Sequence, residues 1–590
     1  MMTSQNAQNH FSQMNTVLLS ATPTSWEQVA SILYQLKDSV GPVPLSEEKN
    51  FLQKASKGIA FVTFDYGIDG VSIEIAKYAQ ALESLYESTT QANIHLIGGD
   101  FHSQADSVLK PEWQRYCIEG INGWTKWDGG KWFAALFYEE MPDGSDASRA
   151  LASEIYQQAV SIAQCIGAYL VEHDISLLIP VNIASNPGNL ALILGFTFVN
   201  EGMGIPVINS NHDFYWDEGK PSFERQPGEP PGVRDHFFRN IANRPFFSLF
   251  ESLYPWNGKG WLQANINKLQ SDTLVDRFGI SRERVHELGT SISDEFFSEY
   301  THDDVIHSRC RMGYILSDGK PLVLSTAAVE LIENLGEWID NQRPCILGAR
   351  SGLVLDTTSD DLIYLLQPTR VVARKRIERD LEFIAALLES GTFRGEFERR
   401  KNLQLVLHIT GPTPIEHQAD LDKVLQAYID LIDTVPRGIG DRLFLAFSVG
   451  SEDHPSFRAN NFEQLHIEDI YRMATAVVFP SEVEGRGLPI VESSACGIPI
   501  ICSRYNPQEV FAEVVGEGLP DMQRIHYTLF PEGEFGQSFL DEASRLLLQP
   551  GSNRVRARHN RAAVRNRYSS AMLSATFANF LELINGTSSP

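Results

Sequence analysis

Cysteine is scarce: Cys117, Cys165, Cys310, Cys345, Cys496 and Cys502 are the six in a chain of 590, with no CxxC pair and no accompanying histidine spacing. This excludes a disulfide scaffold or a thiolate metal ribbon and fits buried thiols in a reducing compartment. Long apolar runs are missing too. No stretch approaches the roughly 20 apolar residues that span a bilayer. The opening MMTSQNAQNHFSQMN has neither the positive segment nor the apolar segment of a leader, so a cytoplasmic protein is expected. Positive charge is in short supply. Lys and Arg total 49 against 75 Asp and Glu, a formal net charge of −26. Phosphate backbones are held by clustered Lys and Arg, so nucleic acid is not an expected partner. A local basic site remains open. The 43% apolar content excludes wholesale disorder.

What is present is a repeated alternation. Residues 1–55 are polar, carry one amphipathic stretch from Trp26 to Leu36, and end in the turn-rich GPVPLSEEKN; they are expected to form an extension. From there to 295, short apolar runs (IAFVTF, NIHLIGGD, ISLLIPVNI, IPVINSN) alternate with helical spacing. A second series over 361–550 does the same: IYLLQPTRVV, LQLVLHITG, LFLAFSVG, AVVFPS and IPIICS. Buried strands alternating with helices predict α/β architecture, two Rossmann-like doubly wound parallel sheets. Residues 296–360 are less periodic and are assigned as linker plus insertion, and 551–590 as a C-terminal helix crossing back to the first domain, with a tail. Two such domains usually face a central cleft, with ligands at the carboxyl ends of the strands.

The chemistry-bearing residues are therefore sought just after strands. VVFPSEVEGRGLPIVESSACGIPIICS carries Glu484, Gly485, Arg486, Gly487 and Leu488 on a loop, then Pro489 at the first turn of a helix, where its missing N–H costs nothing. Glycines let amides approach a ligand, and a helix start favours an anion. Glu492 follows Glu484 by eight residues, so two carboxylates can bond vicinal hydroxyls at either end of a diphosphate. The plain structural alternative is a helix with a first-turn Glu favoured by its dipole. In LLQPTRVVARKRIERDLEFI, Arg370 and Lys375 flank a strand-to-helix turn, where fixed cations can stabilise a departing diphosphate; a solvated basic turn is the alternative.

These segments resemble a known family. EGRGLPIVESSACGIPII is similar to the E-x7-E signature of retaining glycosyltransferase family 4, the group 1 glycosyltransferases of GT-B fold. HIEDIYRMATAVVFPS resembles the stretch before that signature, and the Arg370–Lys375 segment resembles the element that grips the donor diphosphate. The resemblance implies that Glu484 contacts the transferred sugar and Glu492 the ribose. It further implies that Gly485–Leu488 amides, Arg370 and Lys375 hold the diphosphate, and that His212, after IPVINSN, faces the sugar. Arg486 departs from the aromatic common there, and Gln-Pro-Thr replaces a hydrophobic-Gly lead-in. Gly67 and Gly70 resemble the amino-terminal Gly-rich loop, and with Asp213 they are placed on the acceptor side. Catalytic roles fall to Glu484, His212, Arg370 and Lys375. No metal ligand set or cofactor is implied; a nucleotide-diphosphate sugar is the co-substrate, and a hydroxyl on a small molecule, lipid or glycan the acceptor.

Other readings stay open: a sugar phosphorylase or nucleotide-sugar epimerase of the same fold, a glycoside hydrolase using Glu484 and Glu492, or a non-catalytic nucleotide-sugar-binding protein. The aromatic runs WTKWDGGKWF and FFSLFESLYPWNGKGW are read as core or loop packing in the first instance, with sugar stacking as the alternative and a peripheral membrane or partner contact as a further one. Six arginines between Arg554 and Arg567 are expected on a helix of the C-terminal segment, not on nucleic acid.

Overall fold

The computed structural model describes residues 4–37, 39–40, 56–86, 92–229, 231–389, 391–449 and 453–587. The chain forms two units: Met1–Ser291 with Ser570–Pro590, and Ile292–Ser569.

The first unit is built on seven strands: β1 (Ile59–Val62), β2 (Ile94–Gly98), β3 (Gln114–Cys117), β4 (Leu177–Pro180), β5 (Val207–Asn211), β6 (Trp261–Asn265) and β7 (Val285–Glu287). They run in the order β3-β2-β1-β4-β5-β6-β7, and every pairing is parallel. β1, β2, β4, β5 and β6 are buried at every position, as a sheet covered on both faces requires. The order reverses between β1 and β4, the switch point at which such sheets place ligands.

The described part of residues 1–55 corrects the expectation of an extension. Helices α1 (Ser4–Ser20) and α2 (Trp26–Leu36) contribute Met14, Leu18, Trp26, Val29 and Leu33 to the main core. Trp26 packs edge-on against Phe246 at 5.2 Å, and Tyr156 Oη donates to the Leu18 carbonyl at 2.8 Å. The turn-rich GPVPLSEEKN lies outside the described residues. The helix Ser570–Thr587 also belongs here: Phe577, Phe580 and Leu581 are buried with Ile59 and Phe61, and Phe577 meets Tyr78 at 5.4 Å.

Both aromatic runs are spent largely inside. Trp127, Phe133, Phe246, Phe250, Trp256 and Trp261 are buried, with Trp127 Nε1 on Gln158 and Trp256 Nε1 on Glu201. Of the first run, Trp124 is exposed. The runs therefore do not build the aromatic patch that a membrane contact needs. β5 and β6 also carry a buried amide ladder: Asn209 and Asn211 both donate to Gln263 Oε1 (2.8 and 3.1 Å), and Asn211 to Asn265 Oδ1 (2.9 Å).

The second unit holds β8 (Val323–Leu324), β9 (Thr326–Ala327), β10 (Cys345–Gly348), β11 (Val354–Leu355), β12 (Leu362–Gln367), β13 (Gln404–Ile409), β14 (Leu443–Phe447), β15 (Ala476–Phe479), β16 (Ile500–Cys502) and β17 (Thr528–Leu529). The eight-stranded sheet runs β17-β16-β15-β12-β13-β14-β10-β9; β10 is antiparallel to β14, the rest parallel. Residues 296–360 are thus integral to this unit, not an insertion. β9 and β10 extend its sheet, and the helix His302–Leu316 opens with a Thr301/Asp304 capping box. That box satisfies two otherwise orphan amides reciprocally.

The arginine-rich helix Arg554–Tyr568 stays in the second unit, and only the segment after it joins the first. Its arginines close backbone carbonyls. Arg561 bonds those of Ala495 and Cys496 (3.1 and 3.0 Å), and Arg567 that of Val514 (2.9 Å).

Candidate functional site

Two strand ends in the second unit meet. β12 stops at Pro368, which cannot donate to a ladder. Below the turn that follows, Gln367 Nε2 donates to Asp380 Oδ2 at 2.8 Å and its Oε1 accepts from Thr369 Oγ1 at 3.1 Å. Asp380 is fully buried, and burial pushes its carboxyl well above the usual carboxylate range. A neighbouring glycine makes the turn fit: a Cβ on Gly411 would overlap the Thr369 carbonyl and the Arg370 amide. Arg370 emerges exposed, Arg374 half-buried and Lys375 buried.

β15 ends at Phe479, followed by Pro480. The Glu482 amide donates to the Arg374 carbonyl at 2.8 Å, tying this loop to the first, while Glu484 N and the Asn506 carbonyl bond at 3.0 Å. Lys375 Nζ donates to Glu484 Oε1. Each side chain is only 10% exposed. Burial lowers the Lys375 pKa below its usual value; Glu484 opposes that shift, while the charges of Arg374 and Arg370 add to it. Two residues 109 apart in sequence therefore form one ion pair, with two more cations beside it.

Gly487 stands at φ +59° at the start of the helix Leu488–Cys496, a left-handed position that favours glycine. A Cβ there would also overlap the Tyr505 hydroxyl. No side chain caps this helix, so its start keeps the partial positive charge that attracts an anion. Gly485 is exposed and Leu488 half-buried. Arg486 is half-buried, and its charge acts on Tyr568. Glu492 is held by Tyr471 Oη at 2.6 Å. Burial, then the Glu492 charge, raise the Tyr471 pKa, so the phenol stays a donor.

In the first unit, His212 follows β5, half-buried, with Nε2 at 3.3 Å from Ser210 Oγ. Asp213 is engaged: Arg234 pairs with it at 3.1 Å, Asn182 Nδ2 donates to it at 3.2 Å, and its own amide donates to Asn182 Oδ1 at 3.0 Å. Gly67 and Gly70 depart from an anion loop. Asp69 caps the helix Gly70–Glu83, taking the amides of Val71 and Ser72 (2.8 and 2.9 Å), and neither glycine has a positive φ. A carboxylate already occupies the place an anionic ligand would use.

Several neighbours of these residues are not marked in the sequence by any motif. Gln367, Asp380 and Gly411 shape the Arg370 turn, and Tyr471 fixes Glu492. Gln270 Nε2 bonds both the His212 carbonyl (2.9 Å) and Asp217 Oδ2 (3.0 Å). Asp217 has its pKa raised to about 6 by burial. The acid pair in HDFYWDEG, just after a strand, was the available signal for it.

Comparison with known proteins places this geometry. The family model described as Glycosyl transferases group 1 matches residues 459–522, which contain both Glu484 and Glu492. The chain is 23% identical to mannosylglucosylglycerate synthase of Petrotoga mobilis over 451 residues, 74% of this chain and 80% of that one. It is 30% identical to O-antigen chain mannosyltransferase B of Escherichia coli over 130 residues, 21% of this chain and 30% of that one. In fold it is similar to a glycosyltransferase from Rickettsia africae, with TM-score 0.51 at 10% identity, covering 89% of this chain and 98% of the other. Among the described residues no helix is long and apolar enough to cross a membrane.

Proposed function

We propose that this chain, which is similar to group 1 glycosyltransferases and shares the GT-B fold, transfers a hexose from a nucleotide-diphosphate sugar to an acceptor hydroxyl with retention of anomeric configuration. The observation that carries the proposal is the buried Lys375–Glu484 pair where two strand-end loops meet, beside an uncapped helix start. A diphosphate bound there would have Lys375, Arg370 and the Gly487–Leu488 backbone against its developing charge, and preorganised donors of that kind stabilise leaving groups without reorganisation. Glu484 orients the sugar while keeping Lys375 cationic against the pull of burial. Glu492, held by Tyr471, takes the ribose hydroxyls. His212 keeps the sugar-contacting role implied by the resemblance, supported by its place at the carboxyl end of a parallel strand. Transfer is proposed to need no metal ion, since fixed cations take the diphosphate charge.

Similarity to a mannosylglucosylglycerate synthase over most of the chain makes a mannosyl donor with a glycosylated-glycerate acceptor the first pair to try. The test screens UDP-, GDP- and ADP-hexoses with that acceptor, with and without EDTA, and reads the anomeric coupling of the product by NMR. One donor is expected to give an α-product from an α-donor at an EDTA-insensitive rate. An inverted product sinks the retaining assignment. Donor converted with no acceptor present points to an epimerase, turnover supported by free phosphate in place of an acceptor to a phosphorylase, and donor bound but never consumed across a full set of candidate acceptors to a non-catalytic protein.

A second expected outcome concerns pH. Removing Glu484 removes the strongest group opposing the downward shift of Lys375. In Glu484→Ala, Lys375 should therefore release its proton at lower pH, and nucleoside-diphosphate affinity should fall off earlier on the alkaline side. Binding titrations from neutral to alkaline pH measure this limb. An unmoved limb would show that Lys375 is not the cation the diphosphate meets.

A further inference from the structure

Away from these loops, three side chains of the second unit converge: Asp521, His526 and His559. One nitrogen from each imidazole and a carboxylate oxygen of Asp521 all lie within 4.8 Å of one another. We propose that they bind a divalent transition-metal ion, zinc in the first instance, which clips the 521–526 turn to the helix Arg554–Tyr568.

The spacing of Asp521 and His526 is that of two ligands on one ion. His526 Nε2 and Asp521 Oδ1 are 3.4 Å apart. Two ligands bound at about 2.0–2.1 Å across a tetrahedral angle stand about 3.3 Å apart. The imidazoles are stacked, with centroids 4.1 Å apart and planes within 16°; an ion lies in the plane of each ring that binds it, so one imidazole must turn about its side-chain bonds for the two to share it. The second nitrogen of one is already spoken for: His559 Nε2 lies 3.0 Å from the Arg524 carbonyl, so it carries the proton and leaves Nδ1 for a metal. A backbone carbonyl in that place is the outer partner that fixes the tautomer of a metal-bound histidine.

The backbone beneath is also fixed. Asn560, next to His559, accepts the His526 amide at 2.8 Å and donates to the His526 carbonyl at 2.7 Å. Both histidines line a pocket of about 470 Å³, and Asp521 and His526 are exposed, so an ion reaches them from solvent. The charged groups of that pocket are Glu542, Arg545 and Arg556, and Arg556 is paired with Glu542 at 3.6 Å. Two imidazoles and one carboxylate suit zinc, nickel or cobalt; magnesium and calcium prefer all-oxygen shells. The spacing 521, 526, 559 matches no sequence pattern for metal ligands, and the set forms only when the helix packs on the turn.

The test uses the full chain, stripped with a chelator and dialysed, and titrated calorimetrically with zinc. One saturable site per chain is expected, together with a zinc-dependent rise in Tm, since binding to the native state alone stabilises it. The double variant His526→Ala/His559→Ala should lose affinity by more than about 100-fold, beyond what outer partners contribute, and lose the Tm rise. Asp521→Asn should weaken binding with the zinc-free Tm unchanged, which separates ligation from folding. Magnesium at the same concentration should not compete. The proposal is overturned if wild type shows no saturable zinc binding, or if the double variant binds zinc as tightly as wild type.

Discussion

Replacing Lys375 by alanine is expected to lower kcat/KM for donor turnover by about 10³-fold, the scale seen when one preorganised charge-stabilising group is removed. The same change should cost about 3 kcal/mol of stability, because Glu484 remains buried without its partner. Arg370 separates the two effects. It is exposed, so Arg370→Ala should leave Tm essentially unchanged while still reducing kcat/KM, by about 10²-fold. The double variant Lys375→Ala/Glu484→Ala should recover Tm relative to Lys375→Ala, since no buried charge is left over, but should not recover turnover. Steady-state kinetics and thermal melts on the four proteins decide the matter. Unchanged kcat/KM in both Arg370→Ala and Lys375→Ala would end the diphosphate assignment.

Gly411→Ala is expected to be the most damaging single methyl in the second unit. Its Cβ would fall on the backbone of Thr369 and Arg370, and backbone cannot swing aside as a long side chain can. A loss of about 3 kcal/mol or more follows from overlap of this kind, a fall in Tm of roughly 6–12 °C for a unit of this size. Since the displaced atoms carry Arg370, the surviving folded fraction should bind nucleoside diphosphate more weakly. Melting and binding measured together check both. A variant with wild-type Tm and wild-type affinity would mean that the Thr369–Arg370 turn tolerates a shift the packing does not suggest.

Why Gly411 was not legible in the sequence while Gly487 was is a matter of range. Gly487 sits between a strand end and a helix start a few residues apart, so local pattern alone marks it as a turn position near a ligand. Gly411 matters only because β13 pairs beside β12, a fact about neighbours forty residues distant. Gln367, Asp380 and Tyr471 escaped for the same reason: each acts on a site residue through a fold contact. The alternation of short apolar runs did reveal two doubly wound sheets. It failed where elements are small or paired remotely. β9 has two residues and β10 four, too short for a period, so 296–360 looked like an insertion. At the amino terminus the amphipathic stretch Trp26–Leu36 was visible but its partner Phe246 was not, and the helix Ser4–Ser20 shows its apolar face only against partners such as Tyr156. Gly67 and Gly70 looked like a phosphate loop because glycine spacing does not report that Asp69, between them, turns its carboxylate onto the amides.

The first unit is interrupted in sequence. Its sheet is complete by Glu287, yet Phe577, Phe580 and Leu581 fill its core from beyond Ser569. During synthesis those residues arrive only after the whole of 292–569 has been made, which at ribosomal rates of about 5–20 residues per second means tens of seconds. Through that interval Ile59, Phe61 and Tyr78 lack part of their cover, and the nascent first unit presents apolar surface that only later translation can close. The second unit, contiguous in the chain, has no such wait. Order of manufacture and order of completion are thus reversed: the half that begins first finishes last.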